Sequence, residues 1–255
     1  MGVTINPRGG AAALARIAVL GDAIHDVYLE GDVLRLSPEA PVPVLLNPVS
    51  RQCDGGAANV AAHLRELGHD VTLYTLPGWP IKTRYCTRDG HHLLRVDVEH
   101  PPKPGEQDHL WDRFAANLYG YDALVISDYH KGSVSQTADY GDPLLPEISV
   151  ADAKVRFHRF SRFTAVKGNA NAGDMLWGQM RITTLGPDGC DVNGKRYPGH
   201  AVPVADVTGA GDTFTAWLTH GLLLGQDQDT IITNCNRAAA LAVQHRGTTV
   251  IASLA

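Results

Sequence analysis

The sequence is poor in the features that usually announce a class. Its four cysteines, Cys53, Cys86, Cys190 and Cys235, lie far apart with no C-x-x-C pair. That excludes a zinc knuckle or disulfide framework and suits a reducing cytoplasm. No run reaches the roughly 20 apolar residues a bilayer span needs, so no membrane partner is expected. The N-terminal "MGVTINPRGGAAALARIAVLGD" is interrupted by Arg16 and carries Asn6 where a myristoylation pattern wants Ser or Thr. Lys and Arg number 22 against 27 acidic residues and are scattered, so no basic stripe is available and no nucleic-acid partner is expected. The twelve histidines form no H-E-x-x-H spacing. There is no G-x-x-x-x-G-K-[ST], which excludes a P-loop, and no G-x-G-x-x-G after the first apolar run, which weakens a dinucleotide reading.

What is present is an alternation of short apolar runs and amphipathic stretches. With 255 residues and 44% hydrophobic content, the chain is long enough for one sizeable core. "RIAVLGD" (16–22), "VTLYTL" (71–76) and "DALVISD" (122–128) read as buried parallel strands, followed later by "RFTAVKGN" (162–169) and "RITTLG" (181–186). Helices are expected over 55–68, 106–120, 210–224 and 229–245. This order predicts a doubly wound, mainly parallel α/β sheet flanked by helices, with its site at the carboxyl ends of the strands. Two segments stand outside that plan. The stretch 26–47 has prolines at 38, 41 and 43 and must be extended or loop. The stretch 82–99 alternates around Asp89-Gly90, a hairpin signal.

Three glycine turns open elements of this plan: "GGAAN" (55–59), "TLGPDG" (184–189) and "DVTGAGDTF" (206–214). In the last, Gly209, Ala210 and Gly211 let backbone N–H groups approach an anion, and the helix that follows adds its positive end. Asp212 in its first turn can take a proton from an attacking hydroxyl. By spacing alone the same residues read equally as an ordinary capped helix start. Three such turns together point to a polyphosphate crevice more than any one does.

These motifs resemble the ribokinase-like (PfkB) carbohydrate kinases over most of the chain. Within that family "SPEAPVPV", "GGAANVAAHLRELG", "HLLRVDVE" and "ALVISDYHKG" are most similar to the heptose 7-phosphate kinase domain of ADP-heptose biosynthesis. The resemblance implies a single kinase domain over 1–255 with a small β lid built from about 26–50 and 82–99. It implies ATP as phosphate donor with Mg2+, Asp212 as catalytic base, and Gly209, Ala210 and Gly211 as the anion hole. Asp206 would lie near the phosphates or their magnesium. Asp22, Asp26, Gly55, Gly56 and Asn59 would bind sugar hydroxyls, with Arg35 and Lys131 on a substrate phosphate. Asn169, Thr184, Gly186, Gly189 and Asn236 would lie near the nucleotide, and the lid would exclude water and support a homodimer. Bland readings stand beside these: Asp22 as a turn cap, Asn59 and Asn236 as surface residues, Lys131 as a solvated loop lysine.

The chain also departs from the family. It is shorter, with losses between Leu76 and Lys82, after Gly132, and between Asn169 and Arg181. The family's N-x-x-E glutamate, which helps organise magnesium, is replaced by Ala172, with Asp174 a nearby substitute. Two expectations follow: an ATP-dependent sugar kinase, favoured by the intact "DVTGAGDTF", or a catalytically weak relative that binds a sugar phosphate or a partner.

Overall fold

A computed structural model describes residues 14–135, 140 and 145–254. The chain opens with β1 (Arg16–Gly21), β2 (Ala23–Leu36), β3 (Pro43–Gly56), α1 (Ala57–Glu66), β4 (Asp70–Tyr74), β5 (Ile81–Thr87), β6 (His92–Val98) and α2 (Glu106–Ala115). It continues through β7 (Ala123–Asp128), β8 (Ile148–Ala153), β9 (Ala165–Asn169), β10 (Met180–Thr184), β11 (Cys190–Val192) and β12 (Lys195–Tyr197), then α3 (Ala210–Leu223) and α4 (Gln228–Ala242).

These form an eight-stranded sheet in the order β12-β11-β10-β9-β8-β7-β1-β4. Every neighbouring pair from β4 to β10 is parallel, and β11 and β12 close the edge antiparallel. The central strands β1 and β7 are apolar on both faces along most of their length because both faces are covered. Along β1, Ile17 and Val19 face the core shared with α1, α3 and α4, while Ala18 and Leu20 face the core built with α2. From β1 the chain reaches β4 on one side and β7 on the other, so a crevice opens at the carboxyl ends of β1 and β7.

The two segments that did not fit the layer plan join in one four-stranded sheet, β3-β2-β5-β6. β2 and β3 pair antiparallel from Ala23↔Gly56 out to Leu36↔Pro43, so the prolines fall at the outer turn and strand ends, where no ladder hydrogen bond is lost. The Asp89-Gly90 hairpin closes with Gly90 at φ 97°.

Three strands escape the sequence reading: β8, β11 and β12. β8 reads Ile-Ser-Val-Ala-Asp-Ala, a short run broken on both faces by Ser149 and Asp152, and the other two have three residues each, too few for periodicity to register. The shortening is also given a form. Parallel strands are usually joined through a full helix, but β8 reaches β9 through a single 3-10 turn, Phe157–Phe160, and β9 reaches β10 through the 3-10 segment Ala170–Met175. Phe157, Phe160, Ala172 and Leu176 turn into the core and cover the sheet there. Ala172 is 2% exposed, so the place of the expected glutamate is apolar interior. The expected substitute, Asp174, falls outside the described side chains.

Candidate active site

The site is built where α1 and α3 begin. β3 ends on Gly56, whose φ of 59° and ψ of −136° is a conformation that only glycine adopts readily. A Cβ there would overlap the Asp22 carbonyl. The Gly56 N–H and the Asn59 amide, three residues into α1's opening, both donate to Asp212 Oδ2, at 3.2 and 3.0 Å. Tyr129 donates its hydroxyl to the other oxygen at 2.7 Å. Asp212 is 2% exposed, and that burial raises its pKa to about 6 against the pull of the Tyr129 and Asn59 donors. A carboxylate with such a pKa is a far better base near neutrality than an exposed aspartate.

Two further contacts fix this arrangement. His63, fully buried, bonds the Asn59 carbonyl through Nδ1 at 2.9 Å and the Thr213 hydroxyl through Nε2 at 3.0 Å. A carbonyl only accepts, so Nδ1 carries a proton; burial lowers the pKa of the ring. Gly209, at φ 83°, precedes the first residue of α3, and a Cβ on it would press on the Asn59 amide at 2.8 Å. The N–H groups of Gly211 and Asp212 have no acceptor among the described residues, as the opening turn of a helix leaves them. Free N–H groups at a helix start are the geometry that suits an anion, and these lie beside the buried carboxylate.

That turn forms one wall of a cleft of about 640 Å³. Ala210, Gly211, Thr184, Gly186, Gly189 and Asn236 all line it, so four of the five residues expected near a nucleotide share one space with the anion turn. Asn236 also donates to the Pro198 carbonyl at 3.1 Å. The fifth, Asn169, instead caps the 3-10 segment that follows it, accepting from Asn171 N at 3.0 Å, beside Thr184 in the sheet register.

The other expected residues are placed differently. Asp22 accepts from the backbone N–H groups of Tyr129, Lys131 and Ser133 at 2.8 to 2.9 Å; it ties down the loop after β7, the turn-capping alternative. Asp26 is ion-paired with Arg84 at 2.5 Å beneath the small sheet, its second oxygen against Gly55. Lys131 pairs with Glu99 at 2.5 Å. Arg35 is a correction: it is exposed near the outer end of β2, about 30 Å along the strand from Asp26, and does not reach this chain's own Asp212. Asp206 is another. Each of its oxygens accepts two bonds, from Thr208 N, Thr208 Oγ1, Tyr28 OH and Gly247 N. Burial works against its charge, yet these donors hold its pKa below the usual carboxylate range. Its lone pairs are used in shaping the turn, leaving none for a metal.

Among the described residues, no three His, Cys, Asp or Glu side chains gather as a metal site. Near the turn, Asp206 and Asp212 already accept from protein donors and Asp152 is paired with Lys167 and Lys154, so the described residues do not fit direct protein ligation of magnesium.

Sequence reasoning missed Tyr129, Asp152, Lys154 and Lys167. Tyr129 has Lys154 Nζ 4.6 Å from its ring centroid and Lys82 Nζ at 5.7 Å. Asp152 and Lys167 are buried opposite each other on β8 and β9. The available signal was a single charge of each sign inside otherwise apolar runs.

The Tyr129 bond carries a testable consequence. It stabilises the charged form of Asp212, so Tyr129→Phe raises the Asp212 pKa. Because a base acts deprotonated, the acid limb of the kcat/KM profile moves to higher pH, by about one unit. A pH–rate profile with an unmoved limb would remove Tyr129 from this role.

The pfkB family carbohydrate kinase model matches residues 157–253, the part that carries the cleft and Asp212. The bifunctional protein HldE of Hyphomonas neptunium is 30% identical over 310 aligned positions, covering 95% of this chain and 63% of the relative; the chain thus spans less than two thirds of that protein. A variant of phosphofructokinase-2 from Escherichia coli superposes with a TM-score of 0.67 at 13% identity, over 93% of this chain and 95% of that one. A ribokinase from Cryptococcus neoformans in complex with ADP gives 0.63 at 17% identity, over 92% and 95%. The described residues thus share the ribokinase-like fold, and residues 157–253, which hold the turn before α3, are similar to the pfkB family of carbohydrate kinases.

Proposed function

We propose that the protein transfers the γ-phosphoryl group of ATP to a hydroxyl of a sugar phosphate, with D-glycero-D-manno-heptose 7-phosphate, at O1, the foremost acceptor. The observation that carries this is the joining of one buried, pKa-raised carboxylate to an anion-binding turn that opens on a cleft of about 640 Å³. In this reading the acceptor hydroxyl lies between Asp212 and the turn, on the side of Asn59 and Gly55. Asp212 takes its proton as the oxygen attacks the γ-phosphorus in line, while the Gly211 and Asp212 N–H groups receive the charge on the transferred oxygens. The largely apolar cleft holds the nucleotide against Val243 and Ala240. Magnesium travels with the nucleotide's phosphates rather than on a protein carboxylate set.

The four-stranded sheet serves as the lid over the acceptor. Its outer parts carry exposed Leu34, Leu36, Leu94 and Val96, apolar surface suited to a second copy. The four free cysteines suit a cytoplasmic enzyme, and no helix among the described residues is long and apolar enough to cross a membrane. The similarity to HldE supports the heptose phosphate, as do the lid motifs.

A second reading, a binding protein with weak or no transfer, is favoured by the burial of Ala172 where a magnesium-organising glutamate was expected. Nucleotide binding separates a working cleft from a lost one. ATP at about 100 times its Kd stabilises the fold by about 2.7 kcal/mol, which appears as a rise of several degrees in Tm. No rise at millimolar ATP would favour the second reading.

A further inference from the structure

Lys167 and Asp152 face each other in the register of β9 and β8, on the side that packs against α3. Their side chains are 2% and 1% exposed, with Lys167 Nζ 2.8 Å from Asp152 Oδ2. Thr215 Oγ1 donates to the same oxygen at 3.3 Å. The other oxygen, Asp152 Oδ1, is buried without a hydrogen bond, with Lys154 Nζ 3.6 Å away. Burial opposes charge on Asp152, but the two lysines hold its pKa below the usual range.

A buried ion pair is poor value for stability alone, because desolvation offsets the attraction. This one lies at the carboxyl end of the strands, directly under the anion turn. A Cβ on Gly211 would stand 3.4 Å from the Lys167 ammonium, so the missing side chain is what lets that charge approach the turn. An ammonium has three donors, and Asp152 is its one acceptor among the described residues. The cleft wall itself contributes no Lys or Arg, and Asp206 and Asp212 already accept from protein donors. A triphosphate entering the cleft therefore meets no other buried cation at the turn.

We propose that Lys167 is a phosphate-binding residue: held by Asp152 beneath the turn, its ammonium supplies a fixed positive charge for the phosphoryl group bound there. This charge does part of the work that a carboxylate-ligated metal would otherwise do. The inference rests on the kinase reading for the identity of the anion, though not for the existence of the anion site.

Titration calorimetry with ATP and with inorganic tripolyphosphate, each in EDTA and in magnesium, tests it on the wild type, Lys167→Arg, Lys167→Met and the double variant Asp152→Asn/Lys167→Met. The double variant removes the cation without leaving a buried carboxylate unpaired, and its Tm reports whether the fold is kept. The wild type binds both ligands without metal. Lys167→Met and the double variant weaken metal-free binding by about tenfold or more, while Lys167→Arg stays within about threefold. A double variant that melts like the wild type and binds metal-free ATP and tripolyphosphate equally well overturns the proposal. So does a wild type that binds neither ligand in EDTA. Lysine-dependent tripolyphosphate binding without any ATP binding would sustain the anion site and defeat the ATP-kinase reading instead.

Discussion

Asp212→Asn lowers kcat by about a thousandfold or more, with the fold retained and nucleotide affinity nearly unchanged. The asparagine amide preserves volume and can still accept from Gly56 N and Asn59 Nδ2, the two donors that meet Asp212 Oδ2. What disappears is the proton acceptor. Stability supplies an independent readout. Burial raises the folded-state pKa of Asp212 from 3.8 to about 6, so between those values the folded protein binds the proton more tightly than the unfolded chain. The group's contribution to stability therefore falls as pH rises through that window, and at pH 7.5 the charged carboxylate is a net cost. The asparagine variant accordingly melts at or above the wild-type Tm at pH 7.5, and the difference narrows toward pH 4. An inactive variant that also melted well below wild type at pH 7.5 would point to a structural role instead.

Gly56→Ala has the largest expected effect on stability. Its backbone conformation costs an alanine about 1–3 kcal/mol, and the Cβ would overlap the Asp22 carbonyl, which accepts the Ala57 N–H at 3.0 Å where α1 begins. Together these give a loss of about 3 kcal/mol or more, about 6–12 °C in Tm for a chain of this size. Gly68→Ala provides the comparison: its φ is also positive, at 91°, yet nothing lies within 4 Å of a Cβ there, so it loses only about 1 kcal/mol. Equal losses in both variants, measured by thermal melts, would show that the overlap at Gly56 is relieved without cost. Because the Gly56 N–H donates to Asp212, activity in Gly56→Ala falls further than stability alone accounts for.

The glycine turns were readable because positive φ and close backbone approach leave a mark on residue type: Gly56 and Gly209 each stand where a Cβ would collide. The strands of the large sheet were readable where they were long and apolar, as in β1 and β7. Lone acids were not. An aspartate after a strand has the same one-letter signature whether it meets a sugar or, like Asp22, three N–H groups of the loop after β7. Arg35 was misplaced because motif spacing says nothing of how far β2 runs before it turns. Lys167 and Asp152 were hidden because their significance lies in the pairing of β8 with β9, and β8 itself was unrecognised. The 3-10 connections were visible only as missing length; that Ala172 fills core there depends on the packing of Phe157 and Leu176 beside it.

In the proposed reaction Asp212 activates a sugar-phosphate hydroxyl for attack on ATP bound at the neighbouring turn. A coupled ADP-release assay across D-glycero-D-manno-heptose 7-phosphate, other sugar phosphates and free sugars, run in parallel with wild type and Asp212→Asn, tests it most directly. The expected result is acceptor-dependent ADP release by the wild type, greatest with the heptose phosphate, and about a thousandfold less from the folded asparagine variant. Acceptor-dependent release that survives Asp212→Asn, or a wild type that binds ATP yet releases no ADP with any acceptor, would contradict it.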